Sequence, residues 1–319
     1  MSPGHTTPSA CSVERGPSYS GTVRAGLLSA SVLALVACGG GGGGGGGPVT
    51  GGAGGSPPPV NLAALPAGSQ VTLIAAGGTY DVNAGRLGAI QPPTDGGGTA
   101  KLYPDRTEIS VASRGLDLTL RASEGYSFNG VVSGFQGANY EALLVQLDQM
   151  ALGTWLRLND ANGNSVDVGA AVGGIRTPVN ELPTIGSASY SGAVVGVAGN
   201  PNTDAVFAGS ASLNANFANR TMAGTFREMQ SVDYYSGTVR PFNSMSVNGS
   251  WVPGSTVYNG TVQTTNAPGG PTALPSGVTG TMTGTFFGAG ANAARETGGT
   301  FLIDRGANGA VMGAFGARR

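Results

Sequence analysis

The chain has 319 residues, 58 of them glycine, only 10% of them charged, and its net charge at pH 7 is −1. This balance excludes the strongly basic surface that binding to nucleic acid requires. The single histidine, His5, and both cysteines, Cys11 and Cys38, precede residue 39. The rest of the chain therefore lacks the side chains that most often act as metal ligands, general bases and thiol nucleophiles. We expect a binding or structural protein rather than an enzyme, with no metal and no cofactor.

The N-terminal segment has the pattern of a bacterial lipoprotein signal. A short apolar run, residues 26–37, follows a basic residue and ends in Leu-Val-Ala directly before Cys38. This predicts that residues 1–37 are a signal peptide and that Cys38 is lipidated after cleavage, which holds the mature protein on a membrane. The alternative, a transmembrane helix, needs about 20 apolar residues. The part before Val23 is long for such a signal, which a translation start set too far upstream explains.

Residues 38–59 are predicted to be a flexible tether. Nine consecutive glycines, Gly39 to Gly47, follow Cys38, and three prolines end the segment. Glycine buries no side chain and loses the most entropy on ordering, so no core can form here. A flexible coil of this length spans on the order of 25 Å.

Residues 60–181 are predicted to form a β-rich domain, smaller than the one that follows. In Leu116–Arg121 every second residue is leucine, the period of a half-buried strand. Residues Gln91–Pro104 are rich in Pro, Gly and Asp, which favours a loop, and Tyr140–Met150 fits either a strand or a short helix. The predicted strands are Gln70–Ala75, Thr107–Ala112, Leu116–Ala122, Tyr140–Leu147, Thr154–Asn159 and Ser165–Val168.

Residues 182–319 show a regular succession of strands and turns. Ala211, Leu213, Ala215 and Phe217 alternate with polar residues, so one face of this strand is apolar. The predicted strands are Ser187–Val197, Ser210–Phe217, Thr221–Glu228, Ser244–Val252, Thr256–Thr265, Gly277–Phe287, Gly299–Arg305 and Ala310–Ala317. Eight antiparallel strands joined by short turns predict a closed up-and-down barrel, in which no strand edge stays open.

Side chains are expected to fill the interior of such a barrel. The candidate fillers are Phe217, Phe226, Trp251, Phe286, Phe301 and Phe315. The opposite faces of the strands carry Ser, Thr, Asn and Gly, whereas a membrane-spanning barrel presents an apolar outer face with aromatic girdles. We therefore expect a barrel in water that a lipid holds at the membrane.

Several segments of residues 184–319 resemble, in order, those of one known family. They are Tyr190–Gly192, Leu213–Phe217, Thr221–Phe226, Gly280–Gly288, Glu296–Phe301 and Gly313–Arg319. Together they are similar to the β-barrel of transferrin-binding protein B, with the last three segments matching its C-terminal signature.

The resemblance implies a surface lipoprotein of the Gram-negative outer membrane, with a β-rich handle preceding the barrel. The family includes receptors for host transferrin, haemoglobin-capturing proteins and binders of complement regulators. It also implies export by an outer-membrane translocon, the surface lipoprotein assembly modulator. Full-length transferrin receptors of this type carry two handle and barrel lobes. This chain has room for one, so transferrin is not carried over as its ligand.

The function expected from the sequence is the capture of a host or environmental protein, or of an iron or haem source. The segment Gln230–Asn243 is the longest predicted loop with residue types that dominate binding at protein interfaces. Its candidate contact residues are Tyr234, Tyr235, Arg240 and Phe242. Two alternatives stay open: the two tyrosines cover the barrel rim, or the protein is a structural or adhesion-type surface lipoprotein.

Overall fold

The computed structural model describes residues 62–319 except 82–83, 85, 112–115, 129–131, 160–164, 201–202 and 234–236. Cys38, with the predicted signal peptide and tether, lies outside the described residues, as do Tyr234 and Tyr235. Among the described residues, the helical segments are too short and insufficiently apolar to cross a membrane.

The described residues form two antiparallel sheets of nine strands each. The strands are β1 Ser69–Asp81, β2 Arg86–Leu102, β3 Arg106–Val111, β4 Leu116–Arg121, β5 Gly125–Phe128, β6 Val132–Gln136, β7 Tyr140–Gln146, β8 Met150–Leu158, β9 Ser165–Gly174, β10 Ser187–Asn200, β11 Thr203–Asn216, β12 Thr221–Asp233, β13 Val239–Pro241, β14 Met245–Ser250, β15 Val257–Thr264, β16 Thr279–Phe287, β17 Glu296–Asp304 and β18 Ala310–Arg318. Short 3₁₀ turns lie at Leu62–Ala64, Ala122–Glu124, Val179–Glu181, Gly290–Asn292 and Gly306–Asn308. The predicted all-β class is confirmed.

The first sheet, called the N-terminal sheet below, has the strand order β4-β3-β2-β1-β9-β8-β7-β6-β5. Strand β4 lies at one edge of this sheet, whereas β7 and β8 lie in its other half. Leu116 and Leu120 of β4 nevertheless share one apolar cluster with Tyr140 of β7 and Trp155 of β8, so the sheet is strongly curved. The leucines of β4 are buried and the residues between them are more exposed, as the alternation predicts. Tyr140–Met150 contains β7 and the first residue of β8, so the strand interpretation of this segment is correct.

The prediction of a loop at Gln91–Pro104 is wrong, because most of this segment lies in β2. Strand β2 pairs with β1 along its length but with β3 only over Thr99–Leu102. The prolines at 92 and 93 therefore lie where one edge of β2 has no strand partner, and proline is tolerated at such positions because it has no N–H to donate.

The second sheet closes into the predicted barrel. Its order runs β11-β10-β18-β17-β16-β15-β14-β12, and β11 also pairs with β12. Strands that follow one another along the chain are neighbours, and the ring closes between the first and last of them, β10 and β18. This confirms an eight-stranded up-and-down barrel. The ninth strand, β13, has three residues and pairs only with the end of β12.

All six predicted fillers lie inside the barrel. Each is at most 6% exposed, and all belong to one apolar cluster. Their rings contact one another at tilted or edge-to-face angles: the centroids of Phe226 and Phe315 are 5.2 Å apart, and those of Trp251 and Phe286 are 5.1 Å apart. Such pairs add to the free energy gained by burial. The interior is therefore occupied by the chain's own side chains.

The N-terminal sheet packs on the outside of the barrel. Met150 and Val172 share a buried cluster with Val195 and Phe287 of the barrel wall. Met150 packs directly on Gly298 of β17: a Cβ at this glycine would lie only 2.5 Å from the Met150 Cε and would clash with it. Glycine in the wall thus lets the two sheets approach closely.

Candidate protein-binding end of the barrel

The predicted contact loop is mostly a β-hairpin, not a loop. Strand β12 continues to Asp233 and the chain returns as β13, with Ser231 opposite Arg240. The Asp233 N–H donates to the Thr238 carbonyl (3.0 Å) and the Gly237 N–H donates to the Asp233 carbonyl (2.9 Å). These bonds join the two strands where β12 ends, next to Tyr234 and Tyr235, which lie outside the described residues.

Arg240 lies exposed on the short strand β13. A Cβ placed on Gly270 would lie 3.5 Å from the Arg240 Cδ, so the β15–β16 connection runs beside this arginine. Val239, its neighbour, is 39% exposed. We call the hairpin of β12 and β13, together with the β15–β16 connection, the Arg240 end of the barrel.

Phe242 is not available to a partner, which corrects the sequence prediction for this residue. Its side chain is 2% exposed and belongs to the barrel core. It stacks on Phe207 with ring centroids 4.7 Å apart and an interplanar angle of 13°. Leu274, in the β15–β16 connection, is also buried in this cluster. Phe242 and Leu274 therefore seal the interior at the Arg240 end.

Asn243 holds this seal in place, a role that the sequence does not indicate. It is fully buried. Its Nδ2 donates to the carbonyls of Asn266 (2.6 Å) and Leu274 (2.8 Å), and its Oδ1 accepts from the Leu274 N–H (2.7 Å). The amide therefore satisfies backbone groups of the β15–β16 connection that burial would leave without water. No local pattern distinguishes this asparagine from one in an ordinary turn.

The polar groups inside the barrel also have structural partners. The Tyr258 hydroxyl lies 2.9 Å from the Thr297 Oγ1, and the Tyr190 hydroxyl donates to the Ala294 carbonyl at 2.9 Å. Burial raises the pKa of both tyrosines. In the described part of the chain no three His, Cys, Asp or Glu side chains lie close enough to hold a metal ion. At this end of the barrel, Arg240 is exposed on β13, and the barrel interior beneath it is filled with the chain's own side chains.

Comparison with known families gives a match over the whole of this barrel. A family model described as the C-lobe and N-lobe β-barrels of transferrin-binding protein B matches residues 182–319. The barrel of this chain is thus similar to the β-barrels of transferrin-binding protein B. The resemblance indicated by the sequence is therefore confirmed for the barrel, the Arg240 end included. No curated protein matches the sequence.

Solved structures of this family are similar at low identity. A mutant transferrin-binding protein B of Haemophilus parasuis is 16% identical, with a TM-score of 0.47, over 77% of this chain and 45% of that one. Isotype 1 of this protein from serogroup B Neisseria meningitidis is 16% identical, with a TM-score of 0.48, over 78% and 43%. A further solved structure, of a surface lipoprotein, is 15% identical, with a TM-score of 0.40, over 79% of this chain and 100% of that one. The chain thus spans less than half the length of the two transferrin-binding protein B chains.

Proposed function

We propose that this protein is a lipid-anchored, surface-displayed outer-membrane protein that captures a host or environmental protein, or a protein that carries iron or haem. The observation that supports this is the filled barrel: aromatic side chains occupy its interior and Phe242 seals the Arg240 end. A partner is then recognised from outside the barrel, which favours a macromolecule over a small molecule enclosed in the lumen.

The Arg240 end is the proposed contact surface. Tyr, Trp and Arg carry a large share of binding energy at protein interfaces, and Arg240 is exposed on a strand beside the exposed Val239. Tyr234 and Tyr235 come directly after Asp233 in the sequence, between β12 and β13. With Phe242 in the core, the proposed contact residues are Tyr234, Tyr235 and Arg240.

The proposal is tested by capture from host serum on immobilised protein, followed by affinity measurement with the captured partner. Arg240→Ala and Tyr235→Ala should each weaken binding by about 1–2 kcal/mol and change thermal stability by no more than about 0.5 kcal/mol. Arg227→Ala is the matched control, because Arg227 is exposed on β12 away from the hairpin tip. If both hairpin variants bind like the control, this end is not the site. If wild type captures nothing, the alternative of a structural or adhesion-type protein is favoured.

Anchoring through Cys38 is tested separately. The sequence Leu-Val-Ala-Cys ends an apolar run at Cys38, and lipidation of this thiol would hold the chain on the bilayer. Cys38→Ala should leave an unprocessed precursor or a soluble form, whereas wild type should be recovered in the outer-membrane fraction of a density gradient. Equal membrane recovery of the variant and wild type would refute the anchor.

A further inference from the structure

The N-terminal sheet lines a cavity of about 320 Å³ that is partly open to solvent. Strands β1, β2, β3 and β4 form one wall and β7, β8 and β9 form the other, while the 3₁₀ turn Leu62–Ala64 lies at its edge. Leu73, Ala100, Leu120 and Ala171 line its deep part and are each at most 7% exposed. The cavity therefore extends into the core of the sheet.

The lining formed by the described residues is apolar and carries no charge. Most of its residues are Leu, Ala, Val, Ile or Pro, and the polar ones, such as Thr107, Gln146 and Thr154, are neutral. An ionised group inside such a wall would lose its hydration without a counter-charge. The chemistry of the lining thus selects a neutral, mainly apolar molecule.

One hydrogen-bond donor in this wall lacks an acceptor. Trp155 lines the cavity and is 4% exposed, and its Nε1 has no hydrogen-bond partner among the described residues. Its indole packs against β9, where a Cβ on Gly169 would be 2.1 Å from the Trp155 Cζ2. Gly169 therefore allows the ring to sit at this position. A buried indole N–H normally has an acceptor, which a bound molecule can provide.

We infer that this cavity binds a neutral alkyl or aryl compound that has a single hydrogen-bond acceptor for the Trp155 N–H. An apolar cavity of about 150 Å³ takes up benzene, so this one has room for about twelve non-hydrogen atoms. The site lies in the N-terminal sheet, outside the residues that match the barrel family, and does not involve the Arg240 end. It therefore does not depend on protein capture.

The test uses the chain from residue 38 onward with Cys38→Ser, freed of bound lipid, and calorimetric titration with 2-alkanones of increasing length. These are neutral chains with one carbonyl acceptor. Binding should be one to one, and the affinity should rise about fourfold per added methylene until the chain has about twelve carbons. No saturable binding, or an affinity that keeps rising well beyond that length, would overturn the inference.

Substitutions locate the binding in the cavity. Ala100→Leu and Ala171→Leu, on two different strands, fill the space and should each abolish binding while circular dichroism stays unchanged. Ala223→Leu, on an exposed position of the barrel, is the matched control and should bind like wild type. Trp155→Phe keeps an aromatic ring but removes the donor, so it should weaken ketone binding about fivefold. If Ala100→Leu and Ala171→Leu both fold and both bind as tightly as wild type, the ligand binds elsewhere.

A fluorescence readout reports from the cavity itself. The chain has two tryptophans, and the second, Trp251, lies in the barrel core. In a Trp251→Phe background, the emission of Trp155 should shift on addition of ketone with the same midpoint as the calorimetric titration. An unchanged spectrum at saturating ketone would contradict binding beside the indole.

Discussion

The Glu296 carboxylate is buried where the barrel meets the N-terminal sheet. Its two oxygens accept the backbone N–H groups of Asp148 and Gln149, both at 2.9 Å, from the turn between β7 and β8. Burial raises the pKa of Glu296, and the two backbone donors partly oppose this rise. One side chain of the barrel thus satisfies two donors of the neighbouring sheet.

Replacement of Glu296 by alanine should destabilise the protein. The change leaves two buried N–H groups without an acceptor, so we expect the free energy of unfolding to fall by about 2 kcal/mol or more. Urea denaturation of the variant and wild type measures the difference. Asp105→Ala is the control, because the Asp105 side chain is 72% exposed in its ion pair with Arg106, and such pairs contribute little. An equally small loss in both variants would contradict this role of Glu296.

Glu141, on β7, should make stability depend on pH near neutrality. Burial raises its pKa from 4.5 to about 7. Below about pH 4.5 the carboxyl is neutral in both the folded and the unfolded chain. Between about pH 4.5 and 7 the unfolded chain loses this proton first, so the stability associated with Glu141 decreases as the pH rises.

The matched variant for this effect is Glu141→Gln, which cannot ionise. Its melting temperature should be close to that of wild type at pH 4 and should exceed it increasingly as the pH rises to about 7. Thermal melts across this range measure the difference, which cancels the titration of all other groups. A difference that does not change with pH would show that Glu141 titrates normally in the folded protein.

At the scale of single strands, the sequence predicts those with regular alternation and misses the others. Strand β4 and the second half of strand β11, residues 210–216, bury every second residue, so the period of two identifies them. Strand β2 contains Pro92, Pro93 and three consecutive glycines, which have low strand propensity, and pairing with β1 outweighs that propensity. Strand β13 has only three residues and exists because β12 extends beyond the barrel wall to pair with it.

The same limit explains the error at Phe242. Residue types identify an interface-prone segment, but they do not tell an exposed aromatic ring from a buried one. The direction of Phe242 depends on where β13 ends, at Pro241, and on the space beside Phe207 inside the barrel. Arg240 stays exposed on the strand just before that point. Whether Phe242 is buried and Arg240 is exposed thus depends on the closed barrel and on contacts between residues far apart in sequence.

Contact between the two sheets depends on Gly316 of β18. A Cβ here would lie 2.6 Å from the Leu152 Cδ2 and 2.8 Å from the Met150 Cε. Gly316→Val should displace both side chains and lower the free energy of unfolding by about 1–3 kcal/mol. Gly316→Ala should cost less, because the ends of these side chains can move.

The Gly316 variants are measured by urea denaturation and by proteolysis of the connection between β9 and β10. Gly316→Val should be cut faster than wild type, since its two sheets are held together less firmly. Ala223→Val, at an exposed barrel position, controls for the introduction of valine into a strand. Resistance of Gly316→Val equal to that of this control would show that the contact tolerates the added methyl groups.

At the scale of the whole molecule, the barrel should fold without the N-terminal sheet. Its eight strands form the ring by pairing with one another, and the short strand β13 pairs with β12. The fragment 182–319 therefore contains every strand of the closed ring and, among the described residues, the only β-pairing that it loses is the bridge between Arg176 and Phe287. Without the N-terminal sheet, however, the apolar wall residues Val195, Ala208, Phe287 and Ala314 become exposed. We therefore expect this fragment to be folded, and less stable than the full chain.

A fragment that starts at residue 175 should be more stable than 182–319. The Gly288 N–H donates to the Ile175 carbonyl (2.7 Å), and the Thr177 N–H donates to the Phe286 carbonyl (3.0 Å). The Thr177 Oγ1 accepts from the Ala294 N–H at 3.0 Å. Three such bonds contribute about 2 kcal/mol or more together. Urea denaturation of the two fragments compares them, and equal midpoints would show that this segment adds nothing to the barrel.

Pairing of β10 with β18 also sets a condition on how the protein matures. Residue 191 pairs with residue 318, so the ring cannot form until β18 has left the ribosome. Until then β10 and β11 can form a local hairpin, but the first strand has an open edge, and pairing so distant in sequence is slow. Until β18 pairs with β10, the incomplete barrel therefore exposes strand edges and apolar surface that favour aggregation.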